Sequence, residues 1–105
     1  MKPLATRCPA EMTLRMIGGR WKVPIVWHLS TGGTLRFSQL RRELGGCTQK
    51  MLIQQLREME RDGIVWRKVY PQVPPKVEYS LTTTGQSLRP VVRAMCRWAK
   101  RRRAS

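Results

Sequence analysis

The chain has 105 residues, 41% of them hydrophobic, enough for one modest core and too many for a disordered polypeptide. Its 21 Lys and Arg stand against 6 Asp and Glu, a formal net charge of +15 that favours a polyanionic partner through counterion release. Six carboxylates, one histidine, three scattered cysteines and no Gly-rich phosphate loop leave nothing with which to assemble an enzyme, a cofactor site or a metal centre.

No apolar run approaches the ~20 residues that span a bilayer. The opening MKPLATRCPAEM lacks the apolar centre of an export signal, so the expected location is the cytoplasm, close to the nucleoid, with no membrane contact. Residues 1–8 read as a loose arm. Pro9 can occupy the first position of a helix, where its missing N–H costs nothing, and that helix runs to about Ile17. Its apolar positions, Met12, Leu14 and Met16 or Ile17, are expected to be buried, and Gly18-Gly19 ends it. A second helix, from Arg20 to about Ser30, carries Trp21, Ile25, Val26, Trp27 and Leu29, with Pro24 tolerated in its first turn. After the turn Thr31-Gly32-Gly33 comes a brief strand over 34–37. Ser38 is then expected to cap a short helix through Glu43 that points Phe37 and Leu40 inward.

The turn Leu44-Gly45-Gly46-Cys47 leads into the most informative stretch, CTQKMLIQQLREMERD. Thr48 is a good N-cap, and no Gly or Pro interrupts until Gly63, a natural residue just past a helix C-terminus. At ~100° per residue Leu52, Leu56 and Met59 form one narrow stripe, with Lys50, Gln54, Arg57 and Arg61 opposite. An apolar back and a front of Lys, Gln and Arg suit a DNA major groove, where Arg and Lys reach guanine or phosphate and Gln reaches adenine. The same front also describes an ordinary solvated helix, so its context has to decide. That context is a short helix, a tight turn and then this helix, the helix-turn-helix arrangement over 38–62.

Beyond Gly63 the period changes. IVWRKVY (64–70) and VEYSL (77–81) are β-branched and aromatic, and the segment between them holds three prolines that forbid ladder pairing. The result is a hairpin wing over 64–81, which must pack on the helices to be stable and carries Arg67, Lys68 and Lys76. Thr82 caps a last helix over 83–100, in which Pro90 either kinks the helix or moves its regular start later. The run Lys100-Arg101-Arg102-Arg103 reads as a solvated charge run. No repeat, linker or second domain is visible, so 1–105 is one domain, mainly α with a small β-hairpin.

Taken together, CPAEMTLRMIGGRWKVPIVWHL, LRFSQLRREL, TQKMLIQQLREMERDGIVWRKVY and PQVPPKVEYSLTTTGQSL closely resemble the HxlR-type winged helix-turn-helix regulators, a MarR-like group, over nearly the whole chain. The resemblance implies a homodimer held by the first and last helices (8–17 and 83–100), with recognition helices in successive major grooves of an inverted-repeat operator in double-stranded DNA. Carried onto matching positions, it makes Thr48, Gln49, Lys50, Gln54 and Arg57 the DNA-facing set and Lys76 the wing-tip contact, beside Arg67. Ser38 and Gln39 are expected near phosphate. Met12, Met16, Leu88, Val92, Met95 and Trp98 form the expected dimer face.

Many regulators of this type carry a redox-active cysteine near the N-terminus, and Cys8 stands there. A thiol at a helix start beside Arg7 is expected to favour thiolate and to respond to oxidants. Cys47 replaces a β-branched aliphatic residue and reads as a buried apolar substitute. Cys96 reads as packing, and His28 as a satisfied helix histidine. The expected function is a dimeric, sequence-specific transcriptional regulator that represses by blocking polymerase, with any small-molecule or oxidant effector left open. The competing reading is a nonspecific basic nucleic-acid-binding or architectural protein.

Overall fold

The computed structural model describes residues 8–104, so of the expected loose arm all but Cys8, including Arg7, lie outside the described residues. Helix α1 (Ala10–Ile17) starts behind Pro9 and stops at Gly18, where a Cβ would lie only 2.2 Å from the Leu14 carbonyl oxygen. Of its apolar residues only Ile17 is fully buried and Met16 is half-buried. Met12 and Leu14, expected inside, are 52% and 63% exposed, because only the C-terminal end of this short helix joins the core.

Helix α2 (Lys22–Gly32) begins two residues after the expected Arg20 and keeps Pro24 in its first turn. Ile25, Val26 and Leu29 make it the central helix of the core, and Gly33 ends it with a φ of 74°. Strand β1 (Leu35–Arg36) is followed without a linker by α3 (Phe37–Leu44). The cap of α3 is not Ser38. The cap is Arg36, two residues earlier, and the Gln39 side-chain oxygen accepts the Arg36 backbone N–H at 2.9 Å. Phe37 is drawn into the helix because its ring packs near Tyr79, centroids 6.4 Å apart.

Two successive glycines with left-handed backbone, Gly45 (φ 57°) and Gly46 (φ 85°), make the turn that α4 (Gln49–Arg61) needs. Thr48 caps α4, its hydroxyl accepting the Met51 N–H at 3.1 Å, while Leu52, Leu56 and Met59 are fully buried. At the far end the Gly63 N–H reaches the Glu60 carbonyl and the Ile64 N–H the Met59 carbonyl, satisfying two of the orphan acceptors.

Strands β2 (Val65–Tyr70) and β3 (Lys76–Leu81) form the expected hairpin, antiparallel with Val65 opposite Leu81 and Tyr70 opposite Lys76. The sheet has one more strand than the hairpin. Its order is β1-β3-β2, with Leu35 opposite Tyr79 and Arg36 opposite Glu78. One side chain closes the base of the hairpin. Thr82 Oγ1 lies 2.5 Å from the Gly63 carbonyl oxygen and 3.2 Å from that of Ile64, sharing its proton between them, and accepts the Gly85 N–H at 3.0 Å. Gly85 is required there, since a Cβ would sit 2.1 Å from the Ile64 carbonyl oxygen.

The single last helix expected from Thr83 is two helices, α5 (Thr83–Gln86) and α6 (Arg89–Ala104). Pro90 has no N–H to offer the Gln86 carbonyl, so the long helix restarts with Pro90 in its first turn. The basic run 100–103 continues α6 rather than leaving it. Val92 is 2% exposed and packs in the protomer's own core, and Leu88 and Cys96 pack half-buried against that core. Val92 therefore has no surface to offer a partner subunit, a correction to its place on the expected dimer face. Val91, Met95 and Trp98 remain outside, Trp98 at 66% exposure.

Candidate nucleic-acid interface

With its apolar stripe sealed, α4 turns Gln49, Lys50, Gln54, Arg57 and Arg61 to solvent. Lys50 and Arg57 make no ion pair among the described residues, which leaves both cations available to an anionic surface. Thr48 is exposed at the N-terminus of the helix, though its hydroxyl is committed to the cap. Ser38 is exposed on α3, and the Gln39 amide is engaged at the Arg36 N–H. Behind the turn, Arg41 Nε donates to the Cys47 carbonyl at 3.2 Å and fixes the spacing of the two helices.

The wing meets α4 through Arg67, whose Nε lies 3.4 Å from Glu60 Oε2. This pair forms one wall of a groove in which Gln49, Ile53 and Arg57 face Val77 and Tyr79. Burial pushes the Tyr79 phenol above its ordinary value, with Arg67 acting against the shift. The wing charges are less free than the sequence implies. Lys76 Nζ sits 3.4 Å from Glu78 Oε2 and 4.6 Å from the centre of the Tyr70 ring, while Lys68 Nζ lies 4.9 Å from the same ring. The Tyr70 hydroxyl, hydrogen-bonded to Glu78, is the main cause that holds the Glu78 carboxyl below its ordinary value, helped by Lys76 and Arg36. Lys76 is thus the first residue of β3, tied inward. The tip itself is 71–75, with Val73 99% exposed.

Lys22 was not singled out in the sequence. It is 6% exposed, the one buried charged side chain among the described residues, and its Nζ reaches Glu58 Oε1 on α4 at 3.2 Å. A lone cation inside the apolar run WKVPIVW was the available signal.

Cys8 is exposed just ahead of α1, and its carbonyl accepts the Glu11 N–H at 2.9 Å. Cys47 is buried, as the sequence implied, and burial raises its thiol pKa against the opposing pull of Arg41 and Arg20. Cys96 is half-buried, and His28 Nδ1 lies 3.9 Å from Glu43. No three His, Cys, Asp or Glu side chains among the described residues gather as a metal-binding set, and no described helix is long and apolar enough to cross a membrane.

Two helices joined by a tight turn, the second with a sealed back and a basic, amide-bearing front, followed by a hairpin docked on its flank, define a winged helix-turn-helix. The chain belongs to the HxlR-like helix-turn-helix family, whose model matches residues 16–105, a family of transcriptional regulators. It is 52% identical over 96 residues to the uncharacterized HTH-type transcriptional regulator YybR of Bacillus subtilis, covering 91% of this chain and 76% of that one. Among solved structures it is similar to the redox regulator HypR in its oxidised form (53% identity, TM-score 0.81, 89% of this chain and 95% of that one). The similarity extends to HypR in its reduced form (51%, TM-score 0.86, 91% and 94%).

Proposed function

We propose that the chain binds double-stranded DNA as a homodimer, reading an inverted repeat with α4 and gripping its flanks with the wing, and so represses transcription. The observation that carries this reading is the α4 front, where Gln49, Lys50, Gln54 and Arg57 stand exposed on a helix whose back is fixed in the core. Half-sites are then separated by about one helical turn, roughly 10 bp centre to centre. Dimerisation is supported by the apolar residues that α1 and α6 leave outside, Met12, Leu14, Val91, Met95 and Trp98. Met16 and Leu88 border that surface from half-buried positions. Cys8, exposed at the start of α1, is the thiol through which an oxidant acts. One Cys8 from each subunit loses a proton and an electron to the oxidant to form an intersubunit disulfide, which changes how the two reading helices are spaced.

The test is selection of duplexes from a random pool with reduced protein, followed by titration of the winners at fixed salt. Gln54→Ala is expected to cost ~1–3 kcal/mol on the selected palindrome and to relax one base pair. Lys76→Ala should weaken all sequences alike and lower the salt slope by at most about one. Loss of binding on diamide treatment, abolished by Cys8→Ser, is the expected redox result. Strong, salt-dependent binding with no enriched sequence would instead mark a nonspecific architectural protein.

A further inference from the structure

The recognition helix touches the rest of the molecule through two kinds of contact. Leu52, Leu56 and Met59 bury its back and set which side faces the core, but apolar contact by itself supplies no directional bond to hold the finer angle of the front. Two ion pairs supply direction. On a helical wheel at ~100° per residue, Glu58 and Glu60 lie on opposite flanks, each about 70–90° from the centre of the Lys50–Gln54–Arg57–Arg61 front. Glu60 is held by Arg67 of β2, an exposed pair, and Glu58 by Lys22 of α2, a part-buried pair in which the lysine is buried and the glutamate 31% exposed.

We infer that Lys22 is a positioning residue for DNA reading, which pins α4 through Glu58 so that Gln54 and Arg57 meet base edges at the right angle. This rests on the proposal that α4 reads DNA. Stability alone gives no reason for a lysine at this place. It sits in the first turn of α2, where the helix dipole opposes a cation, and a buried ion pair is often no better than a well-packed apolar pair. A directional contact is what an apolar pair cannot supply. Lys22 also neutralises a carboxylate that would otherwise stand bare on the flank of a surface meant for phosphates.

The decisive variant replaces both partners, Lys22→Met with Glu58→Met, and keeps the formal net charge at +15 because one charge of each sign is removed. Affinities for the duplex selected by the native protein and for a scrambled duplex are measured at one salt concentration, alongside thermal melting. The expected result is a double variant at least as heat-stable as either single variant. Its ratio of scrambled to selected Kd falls about tenfold to a hundredfold, while Lys22→Arg, which keeps the pair, retains the native ratio. A folded double variant with the native ratio would overturn the inference, because the pair would then be replaceable packing. Should the double variant fail to fold, Lys22→Met alone serves, because it removes the donor while the part-exposed Glu58 stays solvated, and an unchanged ratio there overturns the inference equally. Gln54→Ala run in parallel separates the two claims. A normal loss for Gln54→Ala beside unaffected Lys22 and Glu58 variants confines the failure to the ion pair, whereas no effect from any of them removes base reading by α4 altogether.

Discussion

Helix α4 and the surface formed by α1 and α6 are both amphipathic in sequence, yet the fold treats them differently. Every residue of the α4 stripe is buried by the chain itself, so this helix is finished within one protomer. Of the apolar positions on α1 and α6, Ile17 and Val92 reach the core and Met12, Leu14, Val91, Met95 and Trp98 do not. Periodicity reports that a helix has an apolar side. It does not say whether the cover for that side lies in the same chain or in a second copy.

This contrast between a sealed and an open face can be broken by substitution. Leu56→Ala, at the centre of the sealed face, should destabilise the protomer by about 2–5 kcal/mol in urea unfolding extrapolated to concentrations where the proposed dimer is dissociated. Trp98→Ala should leave that protomer stability nearly unchanged. It should instead raise the dissociation constant of the proposed dimer about thirtyfold, the effect of removing a typical aromatic anchor, as read by sedimentation on dilution. A large loss of protomer stability with unchanged dimerisation would place Trp98 on the sealed side and end the distinction.

The thiols sharpen the same comparison. Under limiting iodoacetamide at neutral pH, Cys8 should be alkylated first and Cys96 next. Cys47, buried and with its thiol pKa raised, should resist until the protein unfolds. Mass spectrometry of the peptides gives the order, and early labelling of Cys47 would mean that the helix-turn-helix opens locally.

The smallest expected effect concerns the wing. Glu78 has a folded-state pKa below its ordinary 4.5, so its contribution is present above that value and fades as pH falls through the lower one. Acid should therefore loosen the hairpin. Tyr70→Phe, which removes the main hydrogen bond to the carboxylate, should flatten the acid limb of the melting curve below pH 4.5.

The sequence made the elements readable wherever a periodic stripe or a backbone requirement dominated. The α4 boundaries, its Thr48 cap, the Gly45-Gly46 turn and the two wing strands are of this kind, since each depends on residues adjacent in the chain. Pro90 announced a disturbance but not its form, because the choice between a kink and a new start depends on how Thr82 and Gly85 pack beneath the wing. The cap of α3 fell to Arg36, closed by the Gln39 side chain, rather than to Ser38, because Phe37 packs near Tyr79, 42 positions away. Within the site, the solvent-facing front of α4 was legible. The inward tethering of Lys76 and the Lys22–Glu58 pair were not, since both depend on partners brought close only by folding.

The Thr82 hydroxyl that gathers the carbonyls of Gly63 and Ile64 with the N–H of Gly85 fixes both ends of the hairpin at one point. The hairpin meets the helices near that base, through Val65, Arg67 and Tyr79, while every residue of its tip at 71–75 is exposed. A longer connection at 71–75 pays only the slow logarithmic entropy of a larger loop, roughly 0.6 kcal/mol for each doubling. The tip is accordingly where this architecture can take up inserted residues, extending its reach along a duplex without resetting the helices that read it.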